Sequence, residues 1–321
     1  MRKLKKLGVI AVCMFLIYIG GTIVWELGEE KTFSVILLPK QLESENDFWE
    51  QVINGAKEAS EAQEVNLEIL APSKEGNYET QKAFIIEAIK KKPDAIILAA
   101  EDYEKNSIDA QKIKEHGIKL IIIDSGIKGK IEDVMIETNN YEAGIKMGYR
   151  IKKLLVKEGT AVIMNHSKST LTGMEREKGI RIALNDMEEC IVASYDCNSN
   201  IDIAYENTIN AINTYPDLKA IAALNQYTAI GVARAIKELD LSDKIKVVGF
   251  DSSIEQIKYL EEGIYDSLTI QNPFYMGYIS MEKTVDLLQG EDVEAKLNIG
   301  STVITKENMY IGMNQRLLFP F

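Results

Sequence analysis

Short apolar runs closed by polar or turn residues recur from position 33 onward. "FSVILL" starts at Phe33, "LEIL" at Leu67, "AIILA" at Ala95 and "KLIIID" at Lys119. A second series follows, with "TAVIM" from Thr160, "IVASY" from Ile191, "AIAAL" from Ala220 and "IKVVGF" from Ile245. Each run has the length and bounding residues of a buried strand. The stretches between them carry helical periodicity. In the first, Phe48, Val52, Ala56 and Ala59 fall at i, i+4, i+8 and i+11, one apolar stripe of an amphipathic helix. Asn139 or Asn140 caps a later helix, and Gly159 closes it before the next strand.

Strands separated by single helices at this spacing form right-handed βαβ units in a mainly parallel sheet. The two series also match each other. Subtracting the starts of the first from those of the second (33 from 160, 67 from 191, 95 from 220, 119 from 245) leaves 127, 124, 125 and 126. So constant an offset indicates an internal duplication. The predicted fold is α/β, with two similar doubly wound parallel-sheet lobes.

In such sheets ligands bind outside the carboxyl ends of the strands. The residues just after each run are therefore the candidates: 46–49, Tyr103, 124–125, 165–174, 198–200, 225–227 and Asp251. Most of these loops hold Asn or Asp, which turns also favour for their own reasons. Facing each other across two lobes, they would line a cleft of hydrogen-bonding groups with Phe48, Trp49 and Tyr103. Rings that cover C–H surface and polar groups that fix orientation suit a small hydroxylated ligand. On periodicity alone, Phe48 and Trp49 are either core or the wall of such a cleft.

The first residues change the picture. Arg2, Lys3, Lys5 and Lys6 precede a 19-residue stretch, 7–25, without a charge, and Glu26, Glu29 and Glu30 follow it. As a helix this stretch spans roughly 28 Å, close to a bilayer's hydrocarbon core. Basic residues before it orient the N-terminus to the cytoplasm and the rest of the chain outside. No small-residue cleavage site follows, so residues 1–31 read as an uncleaved signal anchor. Cys190 and Cys197 flank a strand, about 20 Å apart if extended, and are expected to be unpaired. The net charge of −12 over 321 residues argues against nucleic acid as partner.

Three stretches carry a resemblance. "NDFWEQVINGA" from Asn46, "LIIIDSG" from Leu120 and "VVGFDSSIE" from Val247 are similar to the ribose-type sugar-binding proteins of the periplasmic-binding-protein class. "TYPDLKAIAALNQYTAIGVARAI" from Thr214 follows the same pattern, and the likeness runs from about Phe33 to the end. It implies the type I fold, with lobe 1 formed by 32–138 and 272–299 and lobe 2 by 139–271 and 300–321. Three crossovers, near 138–139, 271–272 and 299–300, would form the hinge. It also implies ligand contacts from Asn46, stacking by Phe48 and Trp49, carboxylates at Asp124 and Asp251, and amides at Asn225 and Gln271.

Three positions depart from that pattern. Ser125 and Met174 stand where arginines are usual, and Ser199 replaces an aromatic. Arg176 survives and reads as a structural pair. Loss of two guanidinium groups predicts a wider, less cationic pocket, with ribose itself replaced by another sugar, a nucleoside or a furanosyl signalling molecule. His166 sits in a loop that faces either the cleft or the surface.

Other chemistries find little support. "DCNSNID" from Asp196 resembles a calcium loop but has Ile201 where Gly belongs, so Asn200 as a helix cap is the simpler reading. With two histidines and no zinc or nucleophile-elbow motif, no metal, cofactor or enzyme activity is expected. The related lactose-repressor family would need an N-terminal DNA-binding motif, and 1–32 offers none. The expectation is a monomeric extracytoplasmic binding protein tethered at the cell membrane. It would close on a sugar-like ligand and serve an ABC permease or a sensor kinase.

Overall fold

The computed structural model describes residues 32–42, 47–155 and 159–319. The expected anchor at 1–31 and the candidate Asn46 lie outside the described residues. Among those described, no helix is long and apolar enough to cross a membrane.

Two six-stranded sheets organise the chain. The first holds β1 (Ser34–Leu38), β2 (Asn66–Ile69), β3 (Ala95–Leu98), β4 (Lys119–Ile123), β5 (Val134–Thr138) and β11 (Lys296–Ile299), in the order β2-β1-β3-β4-β5-β11. The second holds β6 (Thr160–Asn165), β7 (Ile191–Asp196), β8 (Leu218–Ala223), β9 (Lys246–Phe250), β10 (Tyr265–Ile270) and β12 (Thr302–Ile304), in the order β7-β6-β8-β9-β10-β12. The two orders are the same, as a duplicated unit requires. They differ at one edge, where β11 runs parallel to β5 and β12 antiparallel to β10. All eight strands predicted from apolar runs begin within two residues of the expected starts. The periodicity did not reveal β5, β10, β11 and β12.

Helices cover both sheet faces: α1 (Asp47–Ala62), α2 (Tyr78–Lys91), α3 (Lys105–Glu115), α4 (Asn140–Leu154), α5 (Leu171–Ala183), α6 (Ile201–Thr214), α7 (Gln226–Glu238), α8 (Ile254–Glu261), α9 (Pro273–Gln289) and α10 (Gly312–Leu318). Covering both faces is why central strands read as unbroken apolar runs. In β1, Val35 and Leu37 join one buried cluster with Trp49 and Met276, while Ile36 and Leu38 join another with Ile85 and Ile113, the two-residue alternation of a strand.

Each lobe contains a close helix crossing that glycine permits. A Cβ on Gly55 of α1 would lie 2.0 Å from the Phe274 carbonyl of α9, and one on Gly144 of α4 would lie 2.2 Å from that of Arg176 in α5. Asn139 is the cap that α4 uses, accepting from the Glu142 N–H at 3.0 Å. Asn200 caps α6 in the same way, as expected for the "DCNSNID" loop. Cys190 and Cys197 are buried and not disulfide-bonded.

The chain passes from the first sheet to the second after Thr138, returns after Ile270 and passes again between Ile299 and Thr302. These short passages bring the carboxyl ends of both sheets together.

Candidate functional site

Parallel strands deliver side chains to one end of each sheet, and the two ends meet. The first sheet contributes Lys40 just past β1, Phe48 and Trp49 from the first turn of α1, and Asp124 after β4. The second contributes His166 after β6, Asn225 before α7, and Asp251 after β9. Asp124 and Asp251 both adopt left-handed backbone, φ +59° and +64°, which turns each carboxylate inward at the strand's end. Such conformations cost energy in non-glycine residues and concentrate at functional sites.

Between these groups lies a narrow cavity of about 30 Å³. Phe48, Trp49, Asp124, Asn225, Asp251 and Gln271 all line it, together with Lys40, Glu75, His166 and Arg176. The Phe48 and Trp49 rings meet edge to face with centroids 4.9 Å apart. They are also core, only 7% and 2% exposed and packed into the β1 cluster. The pair is therefore core and cavity lining at once.

Lys40 Nζ lies 3.0 Å from Asp124 Oδ2, with both side chains buried, and 5.8 Å from the Trp49 ring centroid. Burial alone would lower the Lys40 ammonium, but Asp124, Glu101 and Glu75 outweigh it and hold its pKa above the ordinary value. Across the cavity, Asp251 accepts from Gln271 Nε2 at 2.7 Å and from the Gln226 N–H at 3.1 Å. Burial pushes the Asp251 carboxyl up to about 6, against the pull of Arg176 and these hydrogen bonds. Gln271 in turn accepts from Thr138 Oγ1 at 2.6 Å, tying two of the passages between lobes to the site.

Asn225 has a double task. Its side chain caps α7 by accepting from the Thr228 N–H at 2.9 Å. Its Nδ2 donates across the cleft to Glu75 Oε1 at 3.3 Å. The other Glu75 oxygen accepts from Trp49 Nε1 at 3.0 Å. Gln41 Nε2 also bridges the lobes, donating to the Tyr227 hydroxyl at 2.6 Å.

Several expectations need correction. Met174 is 37% exposed and lines a separate surface groove with Lys178 and Ile182. Two residues further along α5, Arg176 is buried and faces the cavity, since two helical steps turn a side chain by about 200°. Arg176 Nε donates to Asn140 Oδ1 at 2.8 Å, and its guanidinium carbon sits 3.6 Å from the Phe250 ring centroid. Its structural role is thus real, and it reaches the site as well. Ser125 is buried behind Asp124 and does not line the cavity; its hydroxyl has no hydrogen-bond partner among the described residues. Tyr103 is half-buried away from the cavity, its N–H donating to the Ser169 carbonyl at 2.9 Å.

Nor is the pocket wide and short of cations. Lys40 and Arg176 supply two, and the cavity has room for about one water by liquid volume. Lys40 and Glu75 escaped the sequence reading. Lys40 carried a signal, being a lysine that directly follows a buried strand in "VILLPK". Glu75 had none, because its loop is placed by tertiary contacts. His166 is buried, and desolvation with Arg176 and Lys40 nearby lowers its pKa well below the ordinary value, so it is neutral at pH 7. Among the described residues no cluster of three potential metal ligands exists.

Comparison with known proteins agrees with the two-lobe fold. A sequence profile of the periplasmic binding protein domain matches residues 37–292. The D-allose-binding periplasmic protein of Escherichia coli (strain K12) is 25% identical over 85% of this chain and 91% of its own. The ribose import binding protein of the same organism is 23% identical over 82% and 88%. A crystal structure of a sugar transporter from Clostridium phytofermentans is 43% identical with a TM-score of 0.81, covering 86% of this chain and 100% of that one. A solute binding protein from Agrobacterium radiobacter, in complex with D-arabinose, is 25% identical with a TM-score of 0.85, covering 90% and 100%. The chain belongs to the periplasmic binding protein domain family, and is a binding protein rather than an enzyme.

Proposed function

We propose that the protein binds a sugar or sugar-like molecule between its lobes on the extracytoplasmic side of the membrane. The observation that carries this reading is the shared cavity, where the Trp49 ring meets Asp124 and Asp251, equivalent carboxylates of the duplicated halves. A ring face covers the C–H side of a pyranose or furanose, and ionised acids accept from its hydroxyls. The relatives support the class, since they are described as binding D-allose, ribose and D-arabinose.

A cavity of about 30 Å³ is too small for a sugar ring. Entry therefore requires the lobes to part at the three passages and to close again on the ligand. Ligand contacts would replace the Gln41–Tyr227 and Glu75–Asn225 bridges. The closed monomer then serves an ABC permease, or a sensor kinase if residues 1–31 keep it tethered beside one. The genes adjoining its own, permease or kinase, separate the two roles.

The test is a thermal-shift screen of the full-length protein with D-allose, D-ribose, D-arabinose and other pentoses and hexoses. A bound sugar raises the melting temperature by mass action. A screen in which no sugar shifts it, at concentrations up to 10 mM, would sink the reading.

A further inference from the structure

A second cavity, of about 220 Å³, adjoins the narrow one, and Glu75 lines both. Both lobes build it: Gln41 and Lys74 on one side, Ser199, Asp202 and Tyr227 on the other. The boundary between the two spaces is the Glu75–Asn225 bridge, which ligand contacts would replace. Glu75 is fixed by Trp49 Nε1 at 3.0 Å and Asn225 Nδ2 at 3.3 Å, and Asn225 also reaches Ser199 Oγ at 3.2 Å. Ser199 is anchored in turn, its N–H donating to the carbonyl of His166, which lines the inner cavity, at 2.7 Å. Asn198 and Ser199 both take left-handed backbone, φ +47° and +46°, so the loop turns sharply at the cavity's edge.

The volume equals roughly seven waters at about 30 Å³ each, on the scale of one pyranose with its hydroxyls. The lining is carboxylate, ammonium, guanidinium, hydroxyl and amide, with Ile201 and the edge of Tyr227. Such groups suit a polyhydroxylated unit, whereas the Tyr227 ring, only 8% exposed, offers little face on which a flat base could stack. We infer that the ligand has at least two linked units, a disaccharide or glycoside: one seats among Trp49, Asp124 and Asp251, and the second occupies the outer cavity beside Ser199 and Asp202. This rests on the sugar-binding reading of the inner cavity.

The test is native mass spectrometry of the full-length protein in mild detergent. The probe is an equimolar mixture of D-allose, D-ribose, D-arabinose, maltose, cellobiose, lactose, melibiose and adenosine. The expected dominant adduct has a disaccharide's mass. Calorimetry then compares that disaccharide with its component monosaccharide. Ser199→Phe, which fills the outer cavity, should lower the disaccharide-to-monosaccharide affinity ratio at least tenfold, and Met174→Ala, outside both cavities, should preserve it. Asp202→Trp, set on a different element of the same cavity, gives an independent reading if Ser199→Phe disturbs its loop. An adduct of monosaccharide alone, an adenosine adduct, or an unchanged ratio in both plugged variants overturns the inference and leaves the inner cavity's role standing for the first and last of these. Absence of any sugar adduct overturns the sugar-binding reading itself, and the inference with it.

Discussion

The two lobes repeat one architecture and place equivalent residues in one cavity, yet they treat charge differently. Asp124 and Asp251 lie 127 positions apart (251 minus 124) with nearly the same φ. Lys40 and His166, 126 positions apart (166 minus 40), follow equivalent first strands, and both line the cavity. In the first lobe the pair of positions forms a buried ion pair of 3.0 Å. In the second, burial leaves His166 neutral and raises Asp251 to about 6, with amides rather than a cation in direct contact. A duplicated backbone thus fixes where acids stand, while the neighbouring side chains decide their ionisation. One half of the site is built from paired charges, the other from shared hydrogen bonds.

The largest expected effect comes from the ring that both readings of the sequence claimed. Trp49→Ala should cost about 3 kcal/mol or more of stability as a buried aromatic truncation, and weaken the sugar found by screening more than tenfold, about 1.4 kcal/mol. Denaturant unfolding and calorimetry read the two separately. Unchanged affinity in a folded variant would remove Trp49 from the site.

Asp124→Asn comes next. It takes away the carboxylate in direct contact with the buried Lys40 ammonium, which should cost about 3 kcal/mol. Asp251→Asn disturbs one of the two hydrogen bonds that Asp251 accepts, from the Gln226 N–H or from Gln271, and removes a charge that attracts Arg176 without touching it; it should cost less, about 1 kcal/mol at pH 7. Equal losses in the two variants would erase the contrast between the lobes.

That contrast also has a pH signature. Asp251 and Glu101, raised to about 6 and about 8 chiefly by burial, hold protons in the fold that the unfolded chain has released. Their contribution to stability therefore falls as pH rises, from 3.8 to about 6 for Asp251 and from 4.5 to about 8 for Glu101. Asp251→Asn should flatten the lower part of the melting-temperature profile and Glu101→Gln the upper part. A wild-type profile that rises through both windows, with no change in either variant, would contradict these assignments.

The smallest effect tests the helix phase. Met174→Ala, on the outer face of α5, should change stability by less than about 0.5 kcal/mol and leave sugar affinity unchanged by calorimetry. A tenfold loss would place Met174 in the site and reverse the correction in favour of Arg176.

Much of the fold was legible because buried parallel strands leave continuous apolar runs and single crossover helices space them evenly. Those two features sufficed for the two-lobe α/β duplication, for eight of the strands, and for Asp124, Asn225 and Asp251 as strand-end candidates. Of the strands that went unread, β5 and β10 are buried like the others but carry charged or hydroxyl residues within their runs, and β11 and β12 lie at sheet edges. β11 is an edge strand whose residues alternate in exposure, β12 has three residues, and β5 ends in Glu137 and Thr138.

What sequence alone determined is the repeated rhythm of strands and helices and the polar residues that end them, since both arise from local periodicity and turn chemistry. Tertiary structure alone decided which of those residues meet. Lys40 joins Asp124 from another strand, Glu75 arrives on a distant loop, and helix phase turns Arg176 inward and Met174 out. Charge state followed from that placement, because desolvation and partner distance exist only once the lobes have packed.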